Sequence, residues 1–224
     1  MREDLAIWLY GSHARGDADS LSDVDIFVAS DYEISVDELI SYMPSLPQEV
    51  SISRYNWLEI RKMADYGSLF LQHLHMEGSV IYESNSRRGD LATILSCMGE
   101  YKHIKRDIRG FWTVLKDVQE SLNDGGSPVF ELSVLATVLR HSSILGCSIA
   151  GKPSFGRMRP VERFVKIYGL SSKISAEFPT LYQYRLYAVG RISSVGEPMP
   201  CELDIWFERT REIINTLEGA CHGN

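Results

Sequence analysis

Two short apolar runs on either side of a glycine- and aspartate-rich connection constrain this chain more than any other feature. Leu5-Ala-Ile-Trp-Leu-Tyr10 stops at Gly11, and a run of that length closed by glycine reads as a buried strand. Beyond the polar segment from Ser12 to Ser22, Asp23-Val-Asp-Ile-Phe-Val28 alternates acidic and apolar residues before turning wholly apolar. That pattern predicts a second strand. Residues i and i+2 of a strand share a face, so Asp23 and Asp25 point one way while Val24 and Ile26 point into a core. Neighbouring carboxylates repel, and a divalent cation neutralises them. Mg²⁺ takes oxygen ligands, usually one or two carboxylates with phosphate oxygens and water. An isolated Asp-x-Asp is common on solvated strands, but here Gly11-Ser12 ends the strand before it. Small residues there let backbone N–H groups and the Ser12 hydroxyl approach a phosphate. A helical turn begun at His13-Ala-Arg15 would favour the same anion.

The rest of the chain falls into two parts. Val36 to Met43 reads as a short helix with Ser35 as N-cap and Glu38 three residues on, closed by Pro44 and Pro47. Glu49-Val-Ser-Ile-Ser-Arg-Tyr55 alternates as a third strand, Trp57 to Met76 has helical spacing with a stop at Gly78, and Val80-Ile-Tyr82 adds a last strand. Ser84 to Asp90 is polar and without period, which suggests a domain boundary. Helical patterns then dominate: Leu91 to Asn123, Val129 to Ile149, Val161 to Tyr168, Thr180 to Val189 and Glu202 to Glu218. The expectation is an α+β chain, with a small mixed-sheet domain over residues 1–84 and an all-α helical-bundle domain over residues 91–224.

Composition narrows the partners. With 224 residues, 44% of them hydrophobic and 24% charged, the chain has the balance of an ordinary globular protein of one large or two small domains. A net charge of -7 lacks the general attraction to phosphate backbones that sequence-independent nucleic-acid binders use. That argues against general nucleic-acid binding while leaving room for a local basic cleft. Cys97, Cys147, Cys201 and Cys221 are widely spaced and form no Cys-x-x-Cys pair, so they read as scattered reduced thiols rather than a zinc site. The N-terminus has no signal-peptide pattern, and no apolar stretch reads as a bilayer span. A cytoplasmic protein is the expectation.

Gly11-Ser-His-Ala-Arg-Gly16 followed by Ser22-Asp-Val-Asp25 resembles the Gly-Ser…Asp-x-Asp signature of the DNA-polymerase-β-like nucleotidyltransferase superfamily. The likeness is greatest to the minimal and the aminoglycoside (kanamycin-type) nucleotidyltransferases. The resemblance implies that Gly11 and Ser12, with Arg15 and Ser22 nearby, hold the triphosphate of ATP or another nucleoside triphosphate. It implies that Asp23 and Asp25 hold two Mg²⁺ ions. Family members usually add a third carboxylate from a later strand, and Glu49 is the candidate here, as metal ligand and as base for the acceptor hydroxyl. Glu131, near the start of a predicted helix, is the reserve base. The implied activity is transfer of a nucleoside monophosphate to a hydroxyl on an aminoglycoside-like small molecule or a protein, with release of pyrophosphate. The alternatives are a nucleotide-binding regulatory module without turnover, or the nucleotidylating component of a toxin–antitoxin or defence pair. A homodimer or a partner protein is compatible with either.

Other motifs carry less. Gly146-Cys-Ser-Ile-Ala-Gly-Lys152-Pro153 imitates a P-loop, but Pro153 replaces the Ser or Thr that would bind Mg²⁺ and the glycines follow a helix. Lys152, Arg157 and Arg159 nevertheless gather in that loop with Phe155, and Lys152 is a candidate phosphate ligand. No histidine has an arginine four to six residues upstream, so a HEPN-type ribonuclease reading is unsupported. His73 and His75 lack the spacing and partners of a zinc site.

Overall fold

The computed structural model describes residues 3–43 and 50–222. They form two compact units, one ending at Lys102 and the other beginning at His103.

The first unit is built on a four-stranded mixed sheet in the order β3-β2-β1-β4. Strand β1 (Ala6–Tyr10) lies antiparallel to both β2 (Val24–Ala29) and β4 (Ser79–Glu83), and β2 runs parallel to β3 (Val50–Tyr55). A parallel pair needs a crossover connection, and helix α2 (Val36–Ser41) lies in it, its first turn capped by the Ser35 hydroxyl accepting from the Glu38 N–H. The sheet is apolar on both faces. Leu5, Ile7, Val24, Ile26 and Val28 pack with Leu39 on one side. Ala6, Trp8, Tyr10, Phe27 and Ala29 pack on the other against helices α3 (Trp57–Asp65), α4 (Leu69–Glu77) and α5 (Asp90–Ser96).

Two predicted helices are interrupted. The run from Trp57 to Met76 breaks between α3 and α4 at Gly67, whose φ of 70° is left-handed and whose missing Cβ leaves room for the Glu100 backbone, 2.6 Å from where that atom would stand. Side chains rarely tolerate either condition. The run from Leu91 to Asn123 divides into α5 and α6 (Ile104–Asn123). Leu91 and Leu95 of α5 are buried in the core of the first unit, so the boundary falls after Lys102 and not in the polar stretch at 84–90. That stretch instead holds the first unit together: Arg87 donates to Asp4 at 2.6 Å and lies over the Trp57 ring.

The second unit consists of α6, α7 (Pro128–Ile149), α8 (Arg159–Tyr168), α9 (Ser172–Ala188) and α10 (Pro200–His222). Helix α7 is central and packs on all four others. By length and composition α7 is apolar enough to cross a bilayer, contrary to the sequence reading, yet its side chains are mostly buried by their neighbours. Helix α9 begins eight residues before the expected Thr180 and carries Pro179 inside it. An interior proline removes one helical hydrogen bond, and burial of Ile174, Phe178 and Leu181 on one side holds the helix across it. The expected α+β architecture, a mixed sheet with flanking helices and then a helical region, is what the chain adopts.

Candidate functional site

The site forms where β1 ends and β2 begins. Strand pairing sets Tyr10 opposite Asp25, and Asp25 opposite Ser51 of β3. Directly paired residues share a face of a sheet, so Tyr10, Asp25 and Ser51 form one row across three strands. Asp23 lies just before β2 and two residues from Asp25. The Tyr10 hydroxyl shares a 3.0 Å hydrogen bond with Ser53, one row further along. Its pKa is pushed up to about 12, first by burial and then, against the Ser53 hydrogen bond, by the negative charges of Asp25 and Asp23. The phenol therefore stays protonated and reports two acidic neighbours.

Chain direction reverses immediately after Tyr10. Gly11 has φ 73°, and a Cβ on it would collide with the Asp25 carboxylate, whose Cγ would be 3.1 Å away. Only glycine brings the backbone this close to the acid. The five-residue helix α1 (Gly11–Arg15) follows, carrying Ser12, and ends on Gly16 in the left-handed conformation. So short a helix does not stand alone. Arg15 ties it to α4 through the Glu77 carboxylate at 2.5 Å, and to Asp17 at 3.1 Å. His73 Nε2 meets the same Glu77 oxygen at 2.7 Å, and its ring stands edge-on to Tyr10 with 5.5 Å between centroids. These contacts close a loop from Tyr10 through α1, Arg15, Glu77 and His73 back to Tyr10. Burial would raise the Glu77 carboxyl, but the hydrogen bond and charge of His73, then those of Arg15, outweigh it and hold it below its ordinary value.

The other expected residues are placed as follows. Ser22 shapes the loop into β2: its hydroxyl donates to Asp19 Oδ1 at 2.8 Å and accepts from the Asp19 N–H at 3.0 Å. Arg15, expected at phosphate, is engaged by Glu77 and Asp17. Glu49 lies outside the described residues. Glu131 sits in the second unit, near the start of α7, where it is buried and accepts from the Ser121 hydroxyl at 2.5 Å. Lys152 is exposed in the second unit, just past α7. Sequence does not single out Tyr10, Ser51 or Glu77, and it weighs His73 only as a poor zinc ligand. Strand phase put Ser51 on the face of Glu49, but its pairing with Asp25 depends on register between strands.

The chemistry of the donor set fits a hard cation. Asp23 and Asp25 supply carboxylate oxygens, the hydroxyl of Ser51 stands in the same row as Asp25, and glycine clears the space above Asp25. Among the described residues no third His, Cys, Asp or Glu joins them in a metal-holding group.

Residues 3–87 match a protein-family model described as polymerase beta, nucleotidyltransferase. No curated protein matches the chain. Among solved structures, the chain is similar to a crystal structure of a toxin–antitoxin with AMP-PNP, at 16% identity over 55% of this chain and 87% of that one, with a TM-score of 0.28. It is also similar to a crystal structure of a nucleotidyltransferase-like protein from Exiguobacterium sibiricum 255-15, at 14% identity over 99% of this chain and 69% of that one, with a TM-score of 0.33. Overlaps as loose as these assign no function.

Proposed function

From an N-terminal unit that belongs to the polymerase-β-like nucleotidyltransferase superfamily, we propose that the protein moves a nucleoside monophosphate from a nucleoside triphosphate to a hydroxyl acceptor and releases pyrophosphate. The observation that carries this reading is the close approach of Gly11 to the Asp25 carboxylate within the matched segment. ATP is the donor by analogy with the family. Gly11 and Ser12 hold the triphosphate with backbone N–H groups and the Ser12 hydroxyl. Asp23 and Asp25 hold Mg²⁺, which when bound offsets the phosphate charge and lowers the pKa of the attacking hydroxyl. Arg15 keeps α1 seated through Glu77 instead of reaching phosphate itself. Glu49 is the proposed proton acceptor. Glu131, whose carboxylate is occupied by Ser121 within the helical unit, is the weaker choice. The acceptor is an aminoglycoside-like small molecule or a protein hydroxyl.

The test is transfer of label from α-labelled ATP, with Mg²⁺ and candidate acceptors, beside an Asp23→Asn/Asp25→Asn variant. Label transfer or pyrophosphate release that the double variant abolishes is the expected result. Equal transfer by both forms overturns the proposal.

One observation favours a second reading, a nucleotide-binding module without turnover. The β3 position in register with Asp25, where a third carboxylate would be expected, is Ser51. Tight binding of Mg²⁺-ATP by calorimetry, with no pyrophosphate released across the acceptor panel, would favour it.

A further inference from the structure

Positive charge is unevenly distributed along the chain. Between Leu132 and Gly196 there are nine Lys and Arg against two acids, Glu162 and Glu177, a balance of +7. The remainder carries fourteen of the 23 basic residues and 28 of the 30 acidic ones, a balance of -14. The overall charge of -7 thus averages two opposite regions, and the basic one lies on α7, α8, α9 and the loops joining them.

Local folding gathers these cations. The loop from Lys152 to Met158 is anchored at its middle, where Ser154 and Phe155 are buried. It is gripped from both sides: Arg140 of α7 donates from Nε to the Gly156 carbonyl at 2.8 Å, and Arg163 of α8 donates from Nη1 to the Pro153 carbonyl at 2.8 Å. On α8 the apolar residues Pro160, Val161, Phe164 and Val165 are buried, while Arg159, Glu162, Arg163 and Lys166 are exposed. Spacings of four and three residues put the three cations on one helix face, with Glu162 as the single acid beside them, over about 10 Å at 1.5 Å per residue. Arg185 of α9 belongs to the same neighbourhood: the charges of both Arg140 and Arg185 act on the His141 ring. The pKa of that ring is pushed down to about 4, first by desolvation and then by those two charges.

We propose that this basic face, built from α8 and the loop between α7 and α8, binds the phosphodiester backbone of a nucleic acid. A triphosphate would occupy two or three of the cations, whereas the stripe along α8 continues past the loop. Arginines predominate, and their planar forks match phosphate oxygens in pairs. The proposal goes beyond the transferase reading and does not depend on it.

The experiment uses the full chain and a fluorescein-labelled single-stranded RNA of about 20 nucleotides, with DNA of the same sequence in parallel. Anisotropy is measured from 50 to 200 mM salt, a range chosen for phosphate contacts. Affinity is expected to fall with salt at a slope of roughly 0.7 per phosphate neutralised. A Lys152→Gln/Arg163→Gln/Lys166→Gln variant should lower that slope by about 2, and affinity at least tenfold. Arg163→Lys alone, which keeps the charge but not the fork, should leave the salt slope unchanged while weakening affinity less than the triple variant does. A Lys116→Gln control on α6 should bind like the parent, and circular dichroism with thermal melting shows whether each variant folds. Salt-insensitive binding, or an unchanged slope in the folded triple variant, overturns the proposal. So does competition by polyglutamate as effective as that by unlabelled RNA, which would mark the face as one for acidic proteins. Displacement of RNA by equimolar ATP would assign the cations to the nucleotide and overturn it as well.

Discussion

The Asp25 carboxylate fills the volume that a side chain at residue 11 would need. A Cβ on Gly11 would stand 3.1 Å from Asp25 Cγ and closer still to one of its oxygens, with the backbone already at φ 73°. Sterics and backbone conformation therefore demand glycine at the same point, and the demand comes from a proposed metal ligand. An acid pressed this close to the turn after β1 faces whatever that turn binds.

Gly11→Ala combines a left-handed φ with a clash, so it is expected to cost about 2 kcal/mol or more of stability. Nucleotide affinity should fall with it. Thermal melting measures the first effect and calorimetry with Mg²⁺-ATP the second. A variant that melts and binds like the parent would mean that Asp25 turns away from the loop without cost.

Glu77→Gln should unseat α1. It leaves the largely buried guanidinium of Arg15 with its ion pair to Asp17, and a cost of about 2 kcal/mol is expected. The pH dependence follows from the lowered carboxyl pKa. A group whose folded value lies below its unfolded value, 4.5 for this carboxyl, stabilises fully above the unfolded value and loses that contribution as pH falls through the folded one. Chemical denaturation across pH should show the parent more stable than the variant at pH 6, with the gap closing in the acid range below about 4.5. A gap independent of pH would assign the loss to packing.

Ser51→Asp installs a carboxylate in the row of Tyr10 and Asp25. If that row lacks a third ligand, Mg²⁺ affinity should rise about tenfold, read by calorimetry in the presence of nucleotide. Unchanged affinity would mean that the third acid comes from elsewhere, Glu49 being the first residue to test.

Gly146→Ala is a control on the other unit. Gly146 lies in α7 against Phe164, whose Cδ2 would stand 2.6 Å from an added Cβ. Overpacking a ring in this way costs about 1–3 kcal/mol. The melting temperature of the helical unit should fall while Mg²⁺-ATP affinity of the first unit holds.

Much of this was legible in the residues themselves. β1 and β2 are apolar runs bounded by glycine and polar residues, and strand alternation alone assigns Asp23 and Asp25 to one side with Val24 and Ile26 on the other. The core confirms the apolar half, with Val24 and Ile26 buried on the α2 side. Helix α7 was equally plain, its apolar length closed by Gly151. Helix breaks were harder. The periodicity from Trp57 to Met76 continues across Gly67, and what stops the helix is backbone from residues 99–100, more than thirty positions away.

Sequence by itself therefore determined the motif at Gly11-Ser12 and Asp23/Asp25, because neighbouring residues in a strand have fixed mutual orientation. Only tertiary structure decided the company those residues keep. Ser51 stands beside Asp25 through the register of a parallel pair, which crossover geometry sets and no local pattern encodes. Arg15, which reads as a phosphate ligand, is drawn to Glu77, 62 residues later, because α4 packs over the same end of the sheet. Short-range periodicity fixes which way a side chain points; long-range packing fixes what it meets.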